Sequence, residues 1–309
     1  MSSLAFLRAL LAPLPAVRVG SAPALRARLG ATLPDDTVER AALAAIAAAD
    51  LGWAFACGYE AALARLDPAA VAGGKLAALC ASEEGGAHPR AIRTALALRA
   101  GGGLALSGQK SWITLGPDAD VLLVVASTGA DEQGRNRLRV ARVASSRRGV
   151  RIEPTPALPF APTVAHARVT FDDVAVAEED VLPGDGYDAV LKPFRTLEDT
   201  HVLAAALGWA IAVARAAGWD RAWIGEAIAF VVLLRSIAAS PPLAPETHVA
   251  LDGALRGARR LLEGAPWPTA EATACESWER DRALLDVASK ARAARFEAAW
   301  RAIGPIDDR

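Results

Sequence analysis

The sequence predicts an α+β protein in which helical segments flank a central antiparallel β-domain. Two composition shifts predict it. Ala-, Leu- and Arg-rich helical spacing over residues 1–75 gives way near residue 76 to short runs rich in Val, Ile, Leu and Thr, and helical spacing returns after about residue 185. The third observation is the punctuation of the middle zone by Gly101-Gly102-Gly103, Gly116-Pro117, Gly129 and Arg148-Gly149, the residues that turn a chain between strands. The expected organisation is a shortened N-terminal helical domain (1–75), a β-domain (76–185) and a C-terminal helical domain (186–309), without internal repeats.

In the first zone, "DDTVERAALAAIAAADLGWAFACGYEAALARL" opens on Asp35-Asp36, a capping pair, and continues in strong helix formers. Gly52 and Gly58 are its weak points as one unbroken helix. In the middle zone, "TALALRA", "LALSGQKSWIT", "VLLVVAST", "LRVARVA", "VRIEPT" and "HARVTFDDV" read as strands of a meandering sheet, a small barrel or sandwich. Alternation in the last of these puts Ala167, Val169 and Phe171 on one face. In "GQKSWIT" the same alternation puts Lys110, Trp112 and Thr114 on one side. That side is either core or a surface for a flat ligand that needs an aromatic neighbour and a hydroxyl. The third zone holds "TLEDTHVLAAALGWAIAVARAAGW", "IGEAIAFVVLLRSIAAS", "PETHVALDGALRGARRLLEG" and "SWERDRALLDVASKARAARFEAAWRAIG", broken at Pro241-Pro242 and at Pro266 and Pro268.

With 34 basic against 35 acidic residues, nucleic acid and anionic membranes are not expected partners. The densest basic cluster, Arg147-Arg148 with Arg151, reads as a solvated loop. Three scattered cysteines and four histidines without ligand spacing predict neither a disulfide framework nor a metal site. The longest uncharged apolar run, Val202 to Ala214, is too short to span a bilayer, so the expectation is a cytoplasmic protein with no membrane span. GxGxxG, P-loop, GxSxG and HExxH motifs are absent.

In their order and spacing, "CASEEGGAHP", "LSGQKSWITLGPDADVLLVVAST", "RGVRIEP" and "VTFDDVAVAEEDVLPGDGY", set between helices, resemble the acyl-CoA dehydrogenase family. The resemblance implies an N-terminal helical domain, a β-domain and a C-terminal helical bundle, with FAD held between the last two. It implies α-proton abstraction by a glutamate and hydride transfer to flavin N5, on an acyl-CoA or related thioester, as in fatty acid metabolism. Homodimers or homotetramers and an electron-transfer flavoprotein as redox partner are implied with it.

Matching "CASEEGGAHP" to the family's Thr-Glu-Pro-x-Ala-Gly-Ser-Asp puts Ser82 on the threonine, and the alignment then runs without a gap to Trp112 and Thr114. The cofactor-binding residues implied are Ala81, Ser82, Ala87, His88, Trp112, Ile113 and Thr114. Ser82 and Thr114 would bond the isoalloxazine edge and Trp112 would flank the ring. Departures are Glu84 at the family's proline, Ala87 at its glycine, His88 at the serine near the diphosphate and Pro89 at the acid that follows. "RAWIGEAI" resembles Arg-x-x-Phe-Gly-x-x-Ile, which makes Arg221 the guanidinium for a neighbouring subunit's FAD diphosphate. The family's terminal segment with its usual catalytic glutamate has no counterpart before "GPIDDR". Some members instead place the base ten residues before a glycine on the first helix of the bundle. Counting back from Gly208 gives Glu198. Read from the residues alone, Glu198-Asp199 is equally a pair of acids near a helix start. Three functions therefore stand open: an FAD-dependent oxidoreductase acting on the CH–CH group of an acyl thioester, a degenerate member serving as a binding or scaffold subunit with weak or no FAD, and a flavoprotein monooxygenase-type relative, which the resemblance also allows.

Overall fold

The computed structural model describes residues 2–31, 33–99 and 102–304. Gly101, expected in a turn, and residues 305–309 of the terminal "GPIDDR" lie outside them. The chain divides into a helical unit (Met1–Ala62, Pro159–Thr163 and Thr196–Arg309) and a β-unit (Leu63–Leu158 and Val164–Arg195).

The helical unit begins with α1 (Ser3–Leu11), α2 (Ala22–Gly30) and α3 (Thr37–Ala45), capped in turn by Ser2, Ser21 and Asp36. The Asp36 carboxylate accepts from the Val38 and Glu39 amides at 3.0 and 2.9 Å, as its place in the sequence predicts. The long helix expected over 35–66 is two helices, and neither glycine breaks it. The interruption falls at 46–50, where Asp50 starts α4 (Leu51–Leu66) by accepting from the Trp53 amide at 2.8 Å. Gly58 lies inside α4 because α5 (Lys192–Ala217) crosses there: a Cβ would sit 2.7 Å from the His201 carbonyl oxygen. Gly208 makes the same allowance against Ala42, at 2.3 Å from its oxygen. Three more long helices follow: α6 (Arg221–Ala238), α7 (Pro245–Glu263) and, after the shorter α8 (Ala272–Asp281), α9 (Ser289–Ile303). Trp209, Trp267 and Trp278 stack in the core of this unit, with Trp219 edge-on to Trp267.

Together with the preceding π-helical turn, α5 forms Gly186–Ala217, the one helix among the described residues long and apolar enough to cross a membrane. Of its most apolar window, 83% is buried inside the protein, which is the signature of a core helix.

The β-unit holds one seven-stranded sheet: β1 (Ala77–Cys80), β2 (Ala95–Leu98), β3 (Leu104–Thr114), β4 (Val121–Ala130), β5 (Asn136–Ala144), β6 (Val150–Pro154) and β7 (His166–Val176). The order is β1-β4-β2-β3-β7-β6, with β5 also on β4. The β2–β3, β3–β7, β4–β5 and β6–β7 pairs are antiparallel, whereas β1 and β2 meet β4 in parallel. Strand β1, unrecognised in the sequence, is buried at all four positions. A strand covered on both faces shows no alternation, and its Ala-Ala-Leu-Cys reads like the Ala-rich helices before it. Ala167, Val169 and Phe171 all face the sheet core with Leu106, Ile113 and Val124.

Gly58→Val should destabilise the protein by about 1–3 kcal/mol or more, because the α4–α5 crossing has no room for a side chain. Gly253→Ala, in the interior of α7 with open space where its Cβ would go, should instead stabilise by about 0.5–1 kcal/mol. Urea unfolding of both variants checks the contrast.

Candidate functional site

The sequence-predicted residues of the β-unit converge on the end of β3 and the loop after β1. In the β3–β7 ladder Lys110 pairs with Val169 and Ile113 with Ala167, so Ser111 and Trp112 together oppose Arg168 alone. This is a β-bulge, and Trp112 occupies it with φ +60°. A left-handed backbone at a bulky residue costs about 1–3 kcal/mol and persists only where the surroundings impose it.

The bulge overturns part of the alternation expected for "GQKSWIT". Lys110 points inward and is fully buried, Trp112 is 56% exposed, and Ile113 returns to the core at 1% exposure. Trp112 and Thr114 lie on the side away from Ile113, Thr114 half-buried, whereas Lys110 does not share their side. The core alternative for Trp112 is excluded. The Ile113 side chain is taken by the core, which leaves only its backbone for a ligand.

Burying an ammonium requires compensation, and Lys110 finds it in the loop after β1. Its Nζ donates to Glu83 Oε1 at 2.8 Å and to the Ala81 carbonyl at 3.3 Å. Glu83, also buried, accepts the Arg93 and Thr94 amides at 2.8 and 3.0 Å. Burial pushes the Glu83 carboxyl up, but the Lys110 bond and the two amides outweigh it and hold the group below its ordinary value. Burial holds the Lys110 ammonium down, opposed by Glu83. Beside this pair the Ser111 amide donates to the Ser82 carbonyl at 2.9 Å. Ala81, Ser82 and Glu83 are thus stitched, residue by residue, to the stretch that leads into Trp112. Sequence reasoning noted Lys110 but missed this role. The available signal was a lysine on the inward phase of an apolar strand.

Thr114 pairs with His166 across the ladder, its Oγ1 3.3 Å from His166 Nε2. His166 Nδ1 lies 3.0 Å from the Val164 carbonyl, which can only accept, so Nδ1 carries the proton and Nε2 receives the Thr114 hydroxyl. Burial lowers the His166 pKa and keeps the ring neutral, with the Val164 bond opposing. The Thr114 oxygen is left to offer its remaining lone pair outward. His166 is a second residue that sequence reasoning missed, since its partner is 52 positions away. His88 is exposed, and its Nδ1 accepts from the Arg90 amide at 3.2 Å, capping a short turn at Pro89–Ala91. Ala87 beside it is half-buried.

Glu198 and Arg221 belong to the helical unit. Glu198 is half-buried on α5; its neighbour Asp199 is buried and held by Arg292 (2.9 Å) and Arg295 (2.5 Å) from α9. The acid pair is therefore divided, with Asp199 fastening α5 to α9 and Glu198 one helical step, about 100°, around the axis. Arg221 is exposed at the start of α6, behind the Asp220 cap. Among the described residues no three His, Cys, Asp or Glu side chains group as metal ligands.

Lys110→Met leaves the Glu83 carboxylate buried without its counter-charge, and should cost about 3–5 kcal/mol in urea unfolding. Adding Glu83→Gln should restore part of that loss. For His166 the folded-state pKa is depressed, so the unfolded chain takes the proton first and stability falls as pH drops below about 6.5. The difference between the parent and His166→Asn should shrink with acidification through that range, as followed by urea midpoints between pH 8 and pH 5 (round experimental limits, roughly spanning histidine titration).

Residues 77–174 match the family model of the acyl-CoA dehydrogenase middle domain. No curated protein matches the chain. Among solved structures, butyryl-CoA dehydrogenase from Megasphaera elsdenii is similar with TM-score 0.64 at 17% identity, covering 85% of this chain and 80% of that one. A Mycobacterium smegmatis protein assigned to the acyl-CoA dehydrogenases gives TM-score 0.67 at 17% identity over 98% of both chains. FMN-bound TdsC from Paenibacillus sp. A11-2 gives TM-score 0.56 at 20% identity, over 85% of this chain and 78% of that one. Residues 77–174 therefore carry the acyl-CoA dehydrogenase middle domain, and the chain as a whole has the fold of the acyl-CoA dehydrogenases.

Proposed function

We propose that this protein is a flavin-dependent oxidoreductase that takes FAD against Trp112 and oxidises an acyl thioester at its CH–CH bond. The observation that carries the proposal is the exposed indole on a strained bulge, with the Ser82 segment and the Thr114 hydroxyl tied to the same strand end. An aromatic wall with a few placed polar groups is what a flavin edge needs. When bound there, FAD supplies the acceptor for the substrate hydride.

Each residue then has a stated task. Trp112 covers one face of the ring system. Ser82 offers a hydroxyl at its margin. Thr114, its proton committed to His166, offers an oxygen lone pair that accepts from an N–H donor. Ala81, Ala87 and the Ile113 backbone line the same segments, and His88, with Nδ1 engaged by Arg90, has Nε2 free to donate to a diphosphate oxygen. Arg221, exposed and preset by its guanidinium fork, would serve the diphosphate of a second copy in a homodimer or homotetramer. Glu198 is the proposed base, removing the substrate α-proton onto its carboxylate. That step needs hydrogen bonds at the thioester carbonyl to hold the enolate-like charge. An electron-transfer flavoprotein is the proposed electron acceptor.

Purified protein should retain yellow flavin or take up added FAD stoichiometrically. Trp112→Ala should weaken FAD binding about tenfold, the scale of one lost aromatic stacking contact. Anaerobic butyryl-CoA should bleach the bound flavin in the parent and not in Glu198→Gln. Equal bleaching in both removes Glu198 as base, and a parent that takes up no FAD favours the binding-subunit reading.

A further inference from the structure

We infer that the helical unit carries a second ligand site, a cavity between α1, α2 and α3 that takes a monocarboxylate with an apolar body. The cavity measures about 470 Å³, within the range of small-molecule sites. Its walls are mostly hydrocarbon, including Ala9, Ala12, Pro13, Leu43 and Ile46, with Arg28 among them.

Arg28 is the unusual member. Its Nη2 donates to the Leu43 carbonyl at 2.5 Å, capping the last turn of α3. Its Nε is buried and has no hydrogen-bond partner. Burial lowers the Arg28 pKa, and burial also pushes the nearby Cys57 thiol up to about 12, which keeps it neutral and leaves it no counter-charge for Arg28. Asp35 lines the same cavity but is exposed, and makes no ion pair with Arg28 among the described residues. Arg28 is the one basic residue among the described residues of this lining, and a carboxylate matches the donor fork of a guanidinium. The apolar walls call for a hydrocarbon body behind it. Asp35 disfavours a second negative charge on the ligand, which selects monoacids over diacids.

The cavity walls are held in place without a ligand. Arg215 caps the end of α1, donating to the Leu10, Leu11 and Ala12 carbonyls at 2.9, 3.1 and 2.6 Å. Binding there has little ordering to do.

Isothermal titration of the full chain with octanoate, octanol, octylamine and suberate tests the site. Octanoate should bind saturably at one site per chain, with the other three at least tenfold weaker. Arg28→Leu should lower octanoate affinity to the octanol level. Because Arg28 also caps α3, a second variant separates binding from stability: Ala12→Trp fills the cavity, keeps the Arg28–Leu43 bond and should abolish octanoate binding. Equal affinities for octanoate and octanol would overturn the site. So would no saturable octanoate binding, or full octanoate affinity in Ala12→Trp, which would locate the ligand elsewhere, including the acyl site.

Discussion

The β-unit depends on one buried ion pair. Lys110 and Glu83 lie 2.8 Å apart, the lysine at 0% and the carboxylate at 9% side-chain exposure, beside the apolar sheet core. Removing two charges from water costs several kcal/mol per ion, and attraction alone seldom recovers it. Glu83 also accepts the Arg93 and Thr94 amides, and Lys110 also donates to the Ala81 carbonyl. Because every partner is backbone or the opposite charge, the pair has one arrangement. That arrangement fixes the β1 loop against β3 and sets the inward phase of β3 at Lys110. With Lys110 inward and Ile113 inward, an extra residue must be accommodated between them, and the bulge follows.

The helical unit uses charge in a similar way at two buried acids. Asp199 is gripped by Arg292 and Arg295, so the start of α5 is fastened to α9 rather than left to apolar packing alone. Asp281 accepts from the Ala161 amide at 2.7 Å and from Ser277 Oγ, while Ser277 Oγ accepts from the Leu51 amide. That network ties the short segment Pro159–Thr163 to α4 and α8, although it lies between two strands in the sequence. Ala161 reaches this position only by adopting φ +44° beside Gly52. Buried acids anchored in this manner leave little freedom to the helices that carry them, so Glu198 is presented from a rigid element rather than a loop.

Much of this was legible in the sequence where local chemistry decides the outcome. Strand β3 coincides with "LALSGQKSWIT", because Gly102-Gly103 and Gly116-Pro117 bound a run of sheet-compatible residues. The α3 start is legible for a similar reason, since Asp36 followed by helix formers is a complete capping signal. What escaped depends on partners distant in the chain. Strand β1 is recognisable only through its parallel pairing with Val121–Val124. Gly58 resembles a helix breaker until α5 is laid across it. The bulge at Trp112 is invisible to period-two reasoning, which assumes an uninterrupted ladder and so places Lys110 and Trp112 together. His166 gains its role only when β7 brings it opposite Thr114.

The energetics of Trp112 connect these points. An indole left more than half exposed forgoes burial worth roughly 25 cal/mol per Å² of apolar surface, and its left-handed backbone adds about 1–3 kcal/mol of strain. Neither term is recovered locally, since Ile113 alone takes the adjacent core position. The compensation lies one residue back, in the Lys110 pair and the Ser111–Ser82 bond, which hold the backbone whether or not the indole is covered. The result is an aromatic surface already oriented before anything binds. On the proposed function, a planar partner laid on it would gain the withheld burial without having to order the strand, and that asymmetry between the free and covered states is what would make the indole a binding wall.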